Sequence, residues 1–203
     1  MARLPWLSDV TPIASQQAPL VSIIFAARDE AEKLRAAIET LLAQDYPRFE
    51  VLAVNDRSTD QTPDILREFE RLHSKLIVTD ITRLPPGWLG KPHALVAGFE
   101  KSRGDWLVFT DADVHFAPDV LRRAIALAVE REWDHLTLLT SVEMRGFWET
   151  VAISYFGLGF VFGNEPWLAA NPRSARYVGV GAFQLVRRAA YEKAAGTLAC
   201  AWM

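Results

Sequence analysis

Asp105-Trp-Leu-Val-Phe-Thr-Asp-Ala-Asp-Val-His115 sets the terms on which the rest of the chain is read. Trp106 to Phe109 form an apolar run without helical spacing, which predicts a buried strand. The run ends in two carboxylates, Asp111 and Asp113, with one small residue between them. A strand that delivers charge at its carboxyl end places it where open α/β sheets bind ligands. Two acids this close repel, so both stay ionised best beside a cation. Mg2+ or Mn2+ suits that role, because each takes few carboxylates and shares its other positions with water and phosphate. An isolated Asp-X-Asp also occurs in ordinary solvated turns, so the surrounding sequence has to decide.

Upstream, Leu20 to Ala26 is a first apolar strand, followed by Arg28-Asp-Glu30 and a helix over Ala31 to Ala43. Leu34, Ile38, Leu41 and Leu42 form its apolar stripe, with Asp29 as the expected N-cap. Phe49 to Val54 is a second strand and runs into Asn55-Asp-Arg-Ser-Thr-Asp60. Thr62-Pro63 opens the next helix, with Ile65, Leu66, Phe69 and Leu72 facing inward. Lys75 to Thr79 is a third strand. Strands alternating with helices predict an α/β fold with a mainly parallel sheet covered on both faces. Pro85 to His93, rich in proline and glycine, reads as a loop that holds Lys91 ahead of a helix over Ala94 to Lys101.

Downstream, a helix is expected over Pro118 to Arg131 and a strand over His135 to Val142. Phe147 to Leu168 is aromatic and nearly free of charge, which favours a core helix. Tyr177 to Val186 reads as a glycine-punctuated strand, and a last helix begins at Arg187. Residues 1–19 form an extended lead-in.

The 203 residues suffice for one sizeable domain, and the net charge of -3, with dispersed basic residues, gives no electrostatic case for nucleic acid. Cys200 is the single cysteine, so no intrachain disulfide can form and a reducing, cytoplasmic setting is expected. The longest uncharged stretch, Val151 to Asn164, is short for a membrane span.

Four segments together resemble family 2 glycosyltransferases of the GT-A fold: Val21 to Glu30, Val54 to Thr62, Gly87 to Leu95 and Phe109 to Val114. Gly87-Trp-Leu-Gly-Lys-Pro92 is similar to bacterial members that glycosylate lipids, including hopanoid- and carotenoid-associated enzymes. The resemblance implies a domain over 20–196 that takes a nucleotide-diphosphate sugar donor with a divalent cation, Mg2+ or Mn2+. It places Ala26, Arg28 and Glu30 in the nucleotide pocket, Asp56 on the base and Lys91 on the diphosphate. Asp111 would face the ribose or the metal, and Asp113 would bind the metal. Gly179, Gly181 and Phe183 would border the sugar and acceptor cleft. A lipid acceptor would put the chain at the inner face of a membrane, touching it through 147–168.

The sequence departs from the family pattern in four ways. Ala26 stands where proline is usual and Asp29 where asparagine is usual, which puts an extra negative charge near the diphosphate. No acidic pair follows residue 190 to supply the base of an inverting reaction, and 197–203 is an atypical tail. The chain then reads as a truncated copy that keeps a donor site, or else Glu143 or Glu165 serves as base. Two other classes fit less well. A haloacid-dehalogenase-like phosphatase shares the strand-end Asp-X-Asp-X-Val but needs a second acidic cluster downstream. A nicotinamide-dependent oxidoreductase needs a Gly-X-Gly-X-X-Gly turn that neither early strand carries.

Overall fold

The apolar runs become strands with two distinct faces. β1 (Val21–Ala27), β2 (Phe49–Asp56), β3 (Leu76–Ile81) and β4 (Trp106–Asp111) are parallel. Two short strands, β5 (His135–Thr137) and β6 (Gln184–Arg187), complete a six-stranded sheet in the order β3-β2-β1-β4-β6-β5. β6 runs antiparallel to both of its neighbours, β4 and β5. This computed structural model describes residues 5–169, 171 and 173–198. Cys200 and most of the 197–203 tail lie outside them.

Side chains alternate across a strand, and here each parity meets its own layer of helices. Ile23, Phe25, Val51, Ala53, Trp106 and Val108 pack with α1 (Ala31–Leu42), α2 (Thr62–Leu72) and α4 (Val120–Glu130). Ile24, Leu52, Leu107 and Phe109 pack on the other face against Leu95 and Phe99 of α3 (Gly90–Lys101) and Tyr191 of α6 (Arg188–Leu198). The result is the expected sheet between two helical layers. The lead-in is pinned to α4, where the Arg123 guanidinium donates to the carbonyls of Ser8 (2.8 Å) and Val10 (2.6 Å).

Several local expectations are corrected. Asp29 does not cap α1. It sits at φ +55°, and its carboxylate accepts from Thr59 N at 2.7 Å instead. The N–H groups of Glu30 and Ala31 donate to Thr62 Oγ1 (2.9 Å) and Asp60 Oδ2 (3.0 Å), so the next loop caps the helix. Leu72, expected inside, is 70% exposed at the end of α2. α3 begins at Gly90 rather than Ala94, since a proline within a first turn forfeits no helical hydrogen bond. The strand expected over 135–142 is confined to His135–Thr137, and that over 177–186 to Gln184–Arg187. α5 (Phe147–Asn164) forms, but none of its residues is buried. A Cβ added at Gly157, Gly159 or Gly163 would meet nothing within 4 Å, so among the described residues no other element lies against those positions.

The amino-terminal end of the sheet is locked by one buried acid. Glu50 accepts from Ser22 Oγ (2.7 Å), from Arg103 N (2.6 Å) and from the Arg103 guanidinium (2.7 and 3.0 Å). Burial alone would raise its pKa, but these hydrogen bonds and the guanidinium charge outweigh that and hold it below the ordinary glutamate value. A carboxyl depressed in the folded state stabilises fully above its unfolded pKa, and that contribution is lost as pH falls through the folded value. Glu50→Gln is therefore expected to cost about 1.5–3 kcal/mol at pH 7 in urea unfolding. The gap to the parent protein should begin to narrow below about pH 4.5, near the unfolded carboxyl's pKa, and keep narrowing on further acidification.

Candidate functional site

Parallel strands put their carboxyl ends on one rim, and β1 and β4 are the neighbours from which the strand order runs in opposite directions. A cleft of about 450 Å³ opens there. Its walls are Ala26, Ala27 and Arg28 at the end of β1, Glu30 before α1, Asp56 at the end of β2, Gly90 and Lys91 at the start of α3, Asp111 at the end of β4, and Ala112 and Asp113 just after it. All seven residues singled out from the sequence as nucleotide-, diphosphate- or metal-facing converge on this one cavity. The register explains part of it: Ala26 pairs directly with Asp111 across β1 and β4.

Asp56 is almost fully buried, and its two oxygens accept from Arg57 Nε (2.8 Å) and the terminal Arg57 nitrogen (3.1 Å). Arg57 holds φ +59°, a conformation that costs a non-glycine residue free energy and tends to persist where the surroundings fix it. Gly90 lets α3 start against this pair, because a Cβ there would lie 2.6 Å from Asp56 Oδ2 and 2.9 Å from the Arg57 guanidinium. Lys91 is ion-paired to Asp111 from the first turn of α3. Lys33, in the first turn of α1, lies 3.3 Å from Asp113 Oδ2. Each acid of Asp111-Ala-Asp113 therefore faces a lysine from a different helix.

Other expectations are redistributed. Asp29 does not line the cleft. Its carboxylate is turned toward Thr59, between the two lining residues Arg28 and Glu30. Gly181 lies against Asp111, where a Cβ would approach Oδ2 to 3.0 Å, so glycine leaves the carboxylate accessible. Phe183 does not border the cleft, being 1% exposed and packed in the core with its ring centroid 5.3 Å from that of Phe116 at a tilt of 44°. Gly179 lines a second, smaller groove with Phe160, Asn164, Arg176 and Tyr177. Neither acid considered as a base reaches the main cleft. Glu143 lies in an exposed irregular segment, and Glu165 pairs with Arg176 at 2.9 Å beyond α5. Lys33, Arg57 and Gly90 were missed from the sequence. Arg57 and Gly90 stood within quoted motifs without a role of their own, and Lys33 stood in none.

The glycosyl transferase family 2 model matches residues 22–193. The chain belongs to that family. Among curated members it is similar to the succinoglycan biosynthesis protein ExoO of Rhizobium meliloti, 35% identical over 119 residues, covering 59% of this chain and 32% of that protein. It is also similar to the beta-monoglucosyldiacylglycerol synthase of a Synechocystis species, 29% identical over 175 residues, covering 77% of this chain and 36% of that one. The chain spans about a third of the length of these two relatives. Among solved structures it resembles the mannosyltransferase PcManGT of Pyrobaculum calidifontis in complex with GDP-Man and Mn2+. The TM-score is 0.68 at 23% identity, over 95% of this chain and 50% of that one. It also resembles S. aureus TarS 1-349 in complex with UDP-GlcNAc, with TM-score 0.54 and 27% identity over 63% of this chain and 36% of that one. The GT-A fold expected of a family 2 member is thus the fold of this chain, and the phosphatase and oxidoreductase readings fall away.

Proposed function

We propose that the cleft binds a nucleotide-diphosphate sugar together with a divalent cation and that the chain transfers the sugar to an acceptor. The observation that carries this reading is the meeting of Asp56, Lys91, Asp111 and Asp113 in one cavity at the carboxyl rim of the sheet. Asp56, fixed by Arg57, is placed to accept an N–H of the base. Ala26, Arg28 and Glu30 line the nucleoside side, and Lys91 serves the diphosphate as a compact positive charge.

The donor set fits a hard cation. Asp111 and Asp113 would supply two carboxylates, Gly181 leaves room at Asp111, and a magnesium- or manganese-type ion would take its other ligands from water and substrate phosphate. Among the described residues no group of three or more His, Cys, Asp or Glu side chains gathers as a metal cluster, so the donor and water would have to supply the remaining ligands. When bound, the cation neutralises charge that grows on the departing diphosphate. Lys91, now paired with Asp111, would add to that neutralisation, and the ends of β1 and β4 would hold the donor in place.

A lipid acceptor is the reading we favour. α5 bears Trp148, Tyr155 and Phe156 at 79%, 81% and 73% exposure, with Glu149 as its one charged side chain. No described helix is long and apolar enough to cross a membrane, so contact would be along the surface. Binding without transfer is a second reading, because Glu143 and Glu165 stand outside the cleft and its own acids have other tasks. One assay separates them: release of nucleoside diphosphate from nucleotide-sugars in Mn2+, with and without lipid vesicles. Metal-dependent release that rises with vesicles is expected. Tight donor binding with no release in either condition would establish the second reading.

A further inference from the structure

We propose that Lys33 is a positioning residue of the donor site: it neutralises Asp113 before the cation arrives and turns to the diphosphate afterwards. The inference rests on the reading of Asp111 and Asp113 as cation ligands. Lys33 and Lys91 both occupy first helical turns, at the positive ends of α1 and α3, where a cationic side chain is disfavoured by the helix dipole. Two lysines in such positions beside one cleft are not explained by helix stability. They are explained by their partners, since Lys33 reaches Asp113 at 3.3 Å and Lys91 reaches Asp111.

Both members of the Lys33–Asp113 pair are well exposed, at 61% and 41% of their side chains, so the pair is weak and the lysine is free to move. A divalent ion on Asp113 would sit within about 5 Å of the ammonium in this position, and their repulsion favours its departure. An anionic diphosphate bound to the same ion offers the displaced ammonium a new partner. Cation alone must compete with Lys33, whereas cation with diphosphate recruits it. The two would then bind cooperatively, each improving the other's affinity.

The test uses the described chain with Mn2+ alone, followed by the free-ion resonance signal, and with inorganic pyrophosphate at saturating Mn2+, followed by calorimetry. Lys33→Met is expected to tighten Mn2+ alone by about three- to tenfold, the size of a screened repulsion between single and double charges at that range. The same variant is expected to weaken pyrophosphate by a similar factor, and Lys33→Arg should restore both values toward the parent. Unchanged affinities in Lys33→Met, or both moving in the same direction, would overturn the proposal. Asp113→Asn serves as the separate check on the site. If it binds Mn2+ as the parent does, the ligand reading itself fails, whatever Lys33 does.

Discussion

Asp113→Asn is expected to lower the Mn2+-dependent affinity for a nucleoside diphosphate by about a hundredfold or more, since partners outside a metal's direct ligands already carry about 10–100-fold. The substitution keeps the shape of the side chain and removes its charge. Asp113 follows β4 at the mouth of the cleft, with its side chain 41% exposed. Its ion pair to Lys33 is exposed and contributes little to folding. The thermal midpoint should therefore stay within a degree or two of the parent while calorimetry loses the metal-dependent component. Equal affinity with and without the carboxylate would remove Asp113 from the site. A collapse of the thermal midpoint would mean that the loss of binding came from the fold.

Gly104→Ala is expected to give the largest loss of stability, about 3 kcal/mol, at the upper end of what overpacking costs. A Cβ at this position would fall 2.5 Å from Ser22 N, 2.6 Å from Ser22 Oγ and 2.7 Å from Trp106 O. Two of those atoms are backbone on neighbouring central strands and cannot swing aside. Gly104 N also donates to Ser22 Oγ at 2.7 Å, and its carbonyl accepts from Arg188 Nε at 2.6 Å, so any shift disturbs the Glu50 lock and the start of α6. Ser22 lies four residues before Ala26 on β1, about 13 Å from the cleft at the usual strand rise. Urea unfolding should register the loss, while nucleoside diphosphate affinity under folding conditions should hold. A stability within 0.5 kcal/mol of the parent, the ordinary range of surface substitutions, would contradict the packing described at that corner.

Much of the fold was legible because strand and chemistry coincide. Runs such as Ile23 to Phe25 and Trp106 to Phe109 bury both faces, and each ends in polar residues where a parallel sheet presents its ligand rim. What the sequence hid is long-range or permissive. The caps of α1 come from Asp60 and Thr62, 29 and 32 residues from the N–H groups they satisfy, so the nearer Asp29 drew the expectation. Pro92 suggested a loop, yet it sits within a first turn, which tolerates it, and Lys91 consequently projects from a helix. Lys33 looked like one more solvated helix charge until folding brought it to Asp113, 80 residues on. Aromatic content suggested that α5 was core, but composition does not say what covers a helix. Here, none of its side chains is buried.

The central claim is that the acids at the carboxyl end of β4, Asp111 and Asp113, and the lysine of α3 hold a cation-bound diphosphate between them. A crystal structure with a nucleoside diphosphate and Mn2+, with the metal located by its anomalous scattering, tests it most directly. The account predicts one manganese peak within about 2.5 Å of Asp113 and bridged to the diphosphate, with Lys91 turned from Asp111 toward a phosphate oxygen. Manganese and diphosphate ordered elsewhere, with the Lys91–Asp111 pair intact, would contradict it.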